Sequence, residues 1–189
     1  MVFVIIKQAF LVRERFLLGE NNAWVYFFPN SFCSFSALFL GAATVFGKKD
    51  NYALHFLCYN AFIGCLPSII VPDYLYHKPF FDIGTLASLT FHLLAVWTVI
   101  SLFITDDFKP RFNRFWCYPI GFMVMIVFGY ILVYVFGSND AMNITKPLIS
   151  GWDFTYWYLL FPACCCITPL LIWVSSKISS KKMPLFPEN

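Results

Sequence analysis

IGTLASLTFHLLAVWTVISLFIT, Ile83 to Thr105, is the stretch that decides the fold. None of its side chains is ionised at neutral pH, and its apolar positions run on continuously instead of alternating. At about 1.5 Å per residue such a helix is long enough to cross a hydrocarbon layer of about 30 Å. Only a helix or a closed barrel satisfies its own backbone in lipid, and the unbroken apolar run argues against a barrel. Four more stretches are equally free of ionised groups: between Glu20 and Lys48, between Asp50 and Asp73, from Phe115 to Asn139, and from Phe154 to Ser176.

These stretches place spans at about Trp24–Phe46, Tyr52–Val71, Ile83–Thr105, Trp116–Phe136 and Tyr156–Val174. The expected fold is all-α, a polytopic transmembrane helical bundle of about five spans. Residues 1–22 read as a short N-terminal interfacial helix or a degenerate sixth span, because Lys7 interrupts an apolar run that ends at Arg13-Glu14-Arg15. Residues 23–176 form the transmembrane domain and 177–189 a basic tail.

Composition agrees. Charged residues make up 12% of the 189, against about 25% in a soluble domain. A net charge of +3 is too small to point to nucleic acid. The seven cysteines all fall inside apolar stretches, and Cys164, Cys165 and Cys166 would point three ways on a helix, so a disulfide framework is not expected. With no CxxC pair, no HExxH and no glycine-rich phosphate loop, no metal or cofactor is expected either. Lysine and arginine bias sets the orientation. Lys48 and Lys49, then Lys109, Arg111 and Arg114, then Lys177, Lys181 and Lys182 share one side, opposite Lys78 and Lys146. The C-terminus is therefore expected to be cytoplasmic, in a bacterial cell membrane or a eukaryotic endomembrane.

Polar groups at membrane depth are costly and mark functional candidates. Cys33 and His92 lie at matched depths, about 13 Å and 15 Å from the same side at the helical rise. They can face each other as nucleophile and base. His55 lies only a few residues from the opposite end of its span and reads as interfacial. Asp73, Lys146 and Asp153 fall in connectors on the side nearer Cys33, where with Asp82 they would rim a cavity. Pro29, Pro67, Pro162 and Pro169 fall within the expected spans and would kink them.

Pro29-Asn30-Ser31-Phe32-Cys33-Ser34, Pro72-Asp73, Phe91-His92 and Lys146-Pro147 follow one another in an order and spacing that resembles the YwaF family of bacterial integral membrane proteins, which has eukaryotic transmembrane acyltransferase relatives. Pro29-Asn30-Ser31-Phe32-Cys33-Ser34 resembles the family's Pro-x-x-x-Cys box, with Ser31 where many relatives carry His or Gln. Pro72-Asp73 resembles its Pro-acidic pair, and Phe91-His92 its mid-helix His. Phe108-Lys109-Pro110 with Arg114-Phe115-Trp116 is similar to its basic connector. Asn139, Met142, Lys146-Pro147, Asp153-Phe154 and Trp157-Tyr158 are similar to its closing segment. The resemblance implies acyl transfer between phospholipids through an acyl-cysteine at Cys33, with His92 taking the thiol proton. Asn139 or connector amides would then hold the oxyanion, Lys146 a phosphate, Asp73 an ammonium headgroup, and Asp153 would share the rim. The alternative is a non-catalytic component that binds or transports a lipid or small molecule. Membrane lipids are the expected partners under either reading, with a membrane-protein partner or a second copy left open.

Overall fold

The computed structural model describes residues 1–70, 81–148, 153 and 156–180. They contain six α-helices and no strand: α1 (Val2–Leu17), α2 (Phe32–Phe46), α3 (Tyr52–Ile70), α4 (Ile83–Ile104), α5 (Cys117–Tyr130) and α6 (Trp157–Ser180). Four helical segments are long and apolar enough to cross a membrane: Tyr52–Ile70, Ile83–Ile104, Phe112–Val135 and Trp157–Ile178. The chain is an integral membrane protein built as a helical bundle. The third of those segments begins with a 3-10 turn and ends with a π-helical turn, Ile131–Val135, closed by Gly137 at φ +71°.

The first expected span differs from the observed chain. Trp24–Phe46 is not one helix. It consists of a 3-10 turn (Ala23–Phe27), an extended bend and the 15-residue α2, about 22 Å long. The cause is Pro29, which restricts the residue before it: Phe28 is extended, with φ −76° and ψ 150°. Helix begins only at Phe32, where Ser31 supplies the cap by accepting a hydrogen bond from the Ser34 amide at 3.3 Å. Pro29 thus ends the approach to a helix instead of kinking one, whereas Pro67, Pro162 and Pro169 do lie inside helices.

Helix α3 is the centre of the bundle, packed against α2, α4, α5 and α6. Its polar core contact is Asn60, which donates to Ser36 Oγ at 2.7 Å on α2 and accepts from the Tyr118 hydroxyl at 3.3 Å on α5. Helix α1 packs on α4 and runs antiparallel to α2: Lys7 Nζ donates to Ser34 Oγ at 3.2 Å, while Met1 lies beside Gly41. At 16 residues it is about 24 Å long, less than a bilayer core.

The connectors after α2 and α4 meet at one end of the bundle. The Asp50 amide donates to the Asp107 carbonyl at 2.7 Å, and Lys49 pairs with Asp107 at 2.6 Å. Lys49 hydrogen-bonds the Asp107 carboxylate, lowering that group's pKa and raising its own. Because α6 touches the Phe112–Arg114 turn, the basic segments around Lys49, Arg114 and Lys177 gather at this same end. Lys181 and Lys182 lie outside the described residues.

Gly121 shows how closely the core is fitted. A Cβ there would come within 2.2 Å of Phe56 Cγ and 2.7 Å of Phe56 Cβ, the base of that side chain and not its flexible end. Gly121→Ala is therefore expected to separate α3 from α5 and lower stability by about 1–3 kcal/mol, the usual cost of overpacking. Thermal unfolding of the purified protein in detergent checks this, and a variant as stable as the parent refutes it.

Candidate active site

Three helices deliver one reactive group each to a common point. Cys33 is in the first turn of α2, Cys65 is five residues before the end of α3, and His92 is the tenth residue of α4. Their sulfurs and a ring nitrogen all lie within 4.8 Å of one another. Cys65 is fully buried and His92 is 5% exposed, while Cys33 is half-buried. Gly64 makes the approach possible: a Cβ on it would stand 3.3 Å from the Cys33 sulfur. Ser68, one helical turn beyond, lies 3.8 Å from that sulfur through its hydroxyl.

The local hydrogen bonds fix the chemistry of each group. His92 Nδ1 is 2.7 Å from the Ser88 carbonyl, which can only accept, so Nδ1 carries the proton and the lone pair of the neutral ring resides on Nε2. That is the nitrogen able to take a proton or bind a metal. Cys33 occupies the positive end of the α2 dipole, where the amides of Phe32 and Cys33 precede the first residue with an intrahelical acceptor. Lys7 adds a positive charge next door through its bond to Ser34, and its ammonium also lies 5.2 Å from the Phe91 ring centre.

A groove of about 430 Å³ lies between α1 and α4, its lining ending at Ser88, one helical turn from His92. Its lining includes Lys7, Arg13, Glu14, Asp82, Thr85 and Ser88. Ser88 connects the groove to His92, since its carbonyl holds the ring. Asp82 caps α4 by accepting from the Thr85 amide at 3.0 Å, which puts the mouth of the groove at the end of the bundle opposite the Asp50 connectors. Apolar walls from α1 and charged residues at the rim make it amphipathic.

Of the residues singled out from the sequence, the fold brings Cys33 and His92 together and adds Cys65 and Lys7, which were not foreseen. Asn139 is exposed and donates to the Tyr26 hydroxyl at 3.2 Å. The connector that carries it does fold back over α2, because the Met142 amide donates to the Asn30 carbonyl at 2.9 Å. Lys146 and Asp153 are exposed. Asp73, with the rest of Pro72–Pro79, lies outside the described residues. His55 stands where its position near a span end placed it, but it is buried: it is 1% exposed and bound to Asp50 at 3.0 Å.

Comparison with protein-family models, curated proteins and solved structures finds no match to this chain.

Proposed function

We propose that this protein transfers acyl chains between phospholipids through a thioester on Cys33. The observation that carries the reading is a thiol and an imidazole within 4.8 Å of each other, one helical turn from an amphipathic groove in a membrane bundle. The short-motif resemblance to the YwaF family supports the same substrate class.

In the first half-reaction His92 Nε2 takes the Cys33 proton, and the thiolate attacks the carbonyl carbon of a phospholipid ester. The carbonyl oxygen becomes an oxyanion, stabilised by the first amides of α2 and the positive charge of Lys7. Collapse breaks the ester C–O bond, the imidazolium returns its proton to the departing glycerol oxygen, and a lysophospholipid leaves the acyl-cysteine behind. In the second half-reaction the hydroxyl of another lysophospholipid gives its proton to His92 and attacks the thioester. The C–S bond breaks and Cys33 regains its proton. One ester is exchanged for another, so no oxidant, nucleotide or metal is needed.

The test is incubation of the purified protein with phosphatidylcholine carrying an alkyne-tagged acyl chain, followed by peptide mapping. A hydroxylamine-sensitive adduct on the Cys33 peptide is expected, and none on any peptide of Cys33→Ala. An unlabelled parent protein, or equal labelling of the variant, would make the bundle a lipid-binding component without this chemistry.

A further inference from the structure

We infer that Cys33, Cys65 and His92 also form a binding site for a thiophilic divalent cation of the zinc class. The inference goes beyond acyl transfer, which uses only two of the three groups and gives Cys65 no task.

The ligand set is suited to such an ion. Two sulfurs and one imidazole nitrogen make up the donor set of three-ligand zinc sites that keep a fourth position open for water. A tetrahedral ion with Zn–S near 2.3 Å and Zn–N near 2.0 Å holds its donors about 3.5–3.8 Å apart. The three donor atoms already lie within 4.8 Å, so side-chain rotations moving each by well under about 1 Å complete the site. The His92 tautomer is the right one, because the Ser88 carbonyl holds the Nδ1 proton and leaves Nε2 to coordinate; this carbonyl–His arrangement is the common outer support of metal ligands. Charge is balanced as well. Binding releases two thiol protons, and two thiolates with a divalent cation make a neutral unit, which costs little in an apolar interior compared with any bare ion.

Access follows the groove. Glu14 and Asp82 place carboxylates on its walls, and Ser88 brings the groove to the turn that holds His92. Gly64 leaves room for the Cys33 sulfur to turn toward α3. Since a bound ion takes both the nucleophilic sulfur and the basic nitrogen, occupancy and acylation of Cys33 are mutually exclusive, and zinc acts as an inhibitor.

The experiment titrates the reduced, chelator-stripped full-length protein in detergent with Co²⁺, then with Zn²⁺. One equivalent of Co²⁺ is expected to bring up thiolate charge-transfer absorption and tetrahedral d–d bands, and Zn²⁺ to abolish both. Cys65→Ser is expected to weaken binding at least tenfold, whereas Cys58→Ser, elsewhere on α3, retains it in full. A second measurement needs no variant. Zn²⁺ should protect Cys33 of the parent protein from a membrane-permeant maleimide while Cys166, exposed on α6, still reacts. Absent charge-transfer bands, equal binding by Cys65→Ser and Cys58→Ser, or an unprotected Cys33 would each overturn the site. None of these readouts involves lipid, so the ion site and acyl transfer stand or fall separately.

Discussion

Replacing His92 with glutamine is expected to slow acylation of Cys33 by about 10²- to 10⁴-fold, the usual contribution of a positioned general base. Glutamine is the informative substitution because it puts an uncharged polar side chain of similar reach in place of the ring but has no basic nitrogen. The loss it causes therefore reports on the proton acceptor. The pH profile separates this from misfolding. Without a base, hydroxide from solvent must remove the Cys33 proton, so the rate of His92→Gln should climb about tenfold per pH unit in the alkaline range, a steeper rise than the parent shows. Rates of tagged-chain transfer measured across pH 6 to 9, roughly the window in which His and Cys titrate, provide the comparison. A variant as fast as the parent at neutral pH removes His92 from the mechanism. A variant that stays inert at alkaline pH with an unchanged unfolding temperature shows that His92 does more than accept a proton.

How much of this is legible in the sequence depends on which interactions are local. The charge-free stretches are local, and α3, α4 and the helix through α5 have bounds within a few residues of those read from charge alone. The start of α2 was also written in the chain, in the pairing of Pro29 with a capping Ser31 three residues before Ser34. Hydropathy hides it because Trp24–Phe28 is as apolar as the helix. Cys33 and His92 stood out as reactive types at one depth. Cys65 did not, because buried cysteine is usually packing, yet its position five residues from the end of an antiparallel neighbour, beside Gly64, places it at that depth too. Lys7 was taken as the break in an interfacial helix. A single lysine among apolar residues equally marks a charge turned toward a polar interior, and the Ser34 bond shows that use. Asp50 carried no local signal at all. A connector carboxylate reads as solvated until the α4–α5 connector, some sixty residues later, folds onto it.

That Asp50 junction gives the largest expected loss of stability. Its carboxylate receives Arg111 at 3.1 Å, Arg114 at 3.2 Å and the Lys109 amide at 3.0 Å, His55 Nε2 lies 3.0 Å from both the carboxylate and Arg114, and Arg114 also donates to the Asp50 carbonyl. One residue thereby ties the α2–α3 turn to the α4–α5 connector. Its backbone is left-handed, with φ +50°, a conformation that asparagine tolerates well and alanine does not. Asp50→Asn thus removes the charge and one acceptor oxygen without straining the backbone. The side chain is 14% exposed and Arg114 21%, so the pairs are mostly withdrawn from water, whereas Arg111 at 45% is partly screened. Breaking a fully buried pair costs about 3–5 kcal/mol; with this screening, about 2–3 kcal/mol is expected for Asp50→Asn. Asp50→Ala should cost about 1–2 kcal/mol more, from the left-handed backbone. Asp106→Asn is the comparison, since Asp106 is also left-handed at φ +58° but lies exposed on the surface, where a charge contributes at most about 1 kcal/mol, so its substitution should cost clearly less than Asp50→Asn. Unfolding in detergent, followed by tryptophan fluorescence, ranks the four proteins. If Asp50→Asn unfolds together with Asp106→Asn, the arginines find equivalent partners in water, and the two connectors are held by helix packing instead of by this charge.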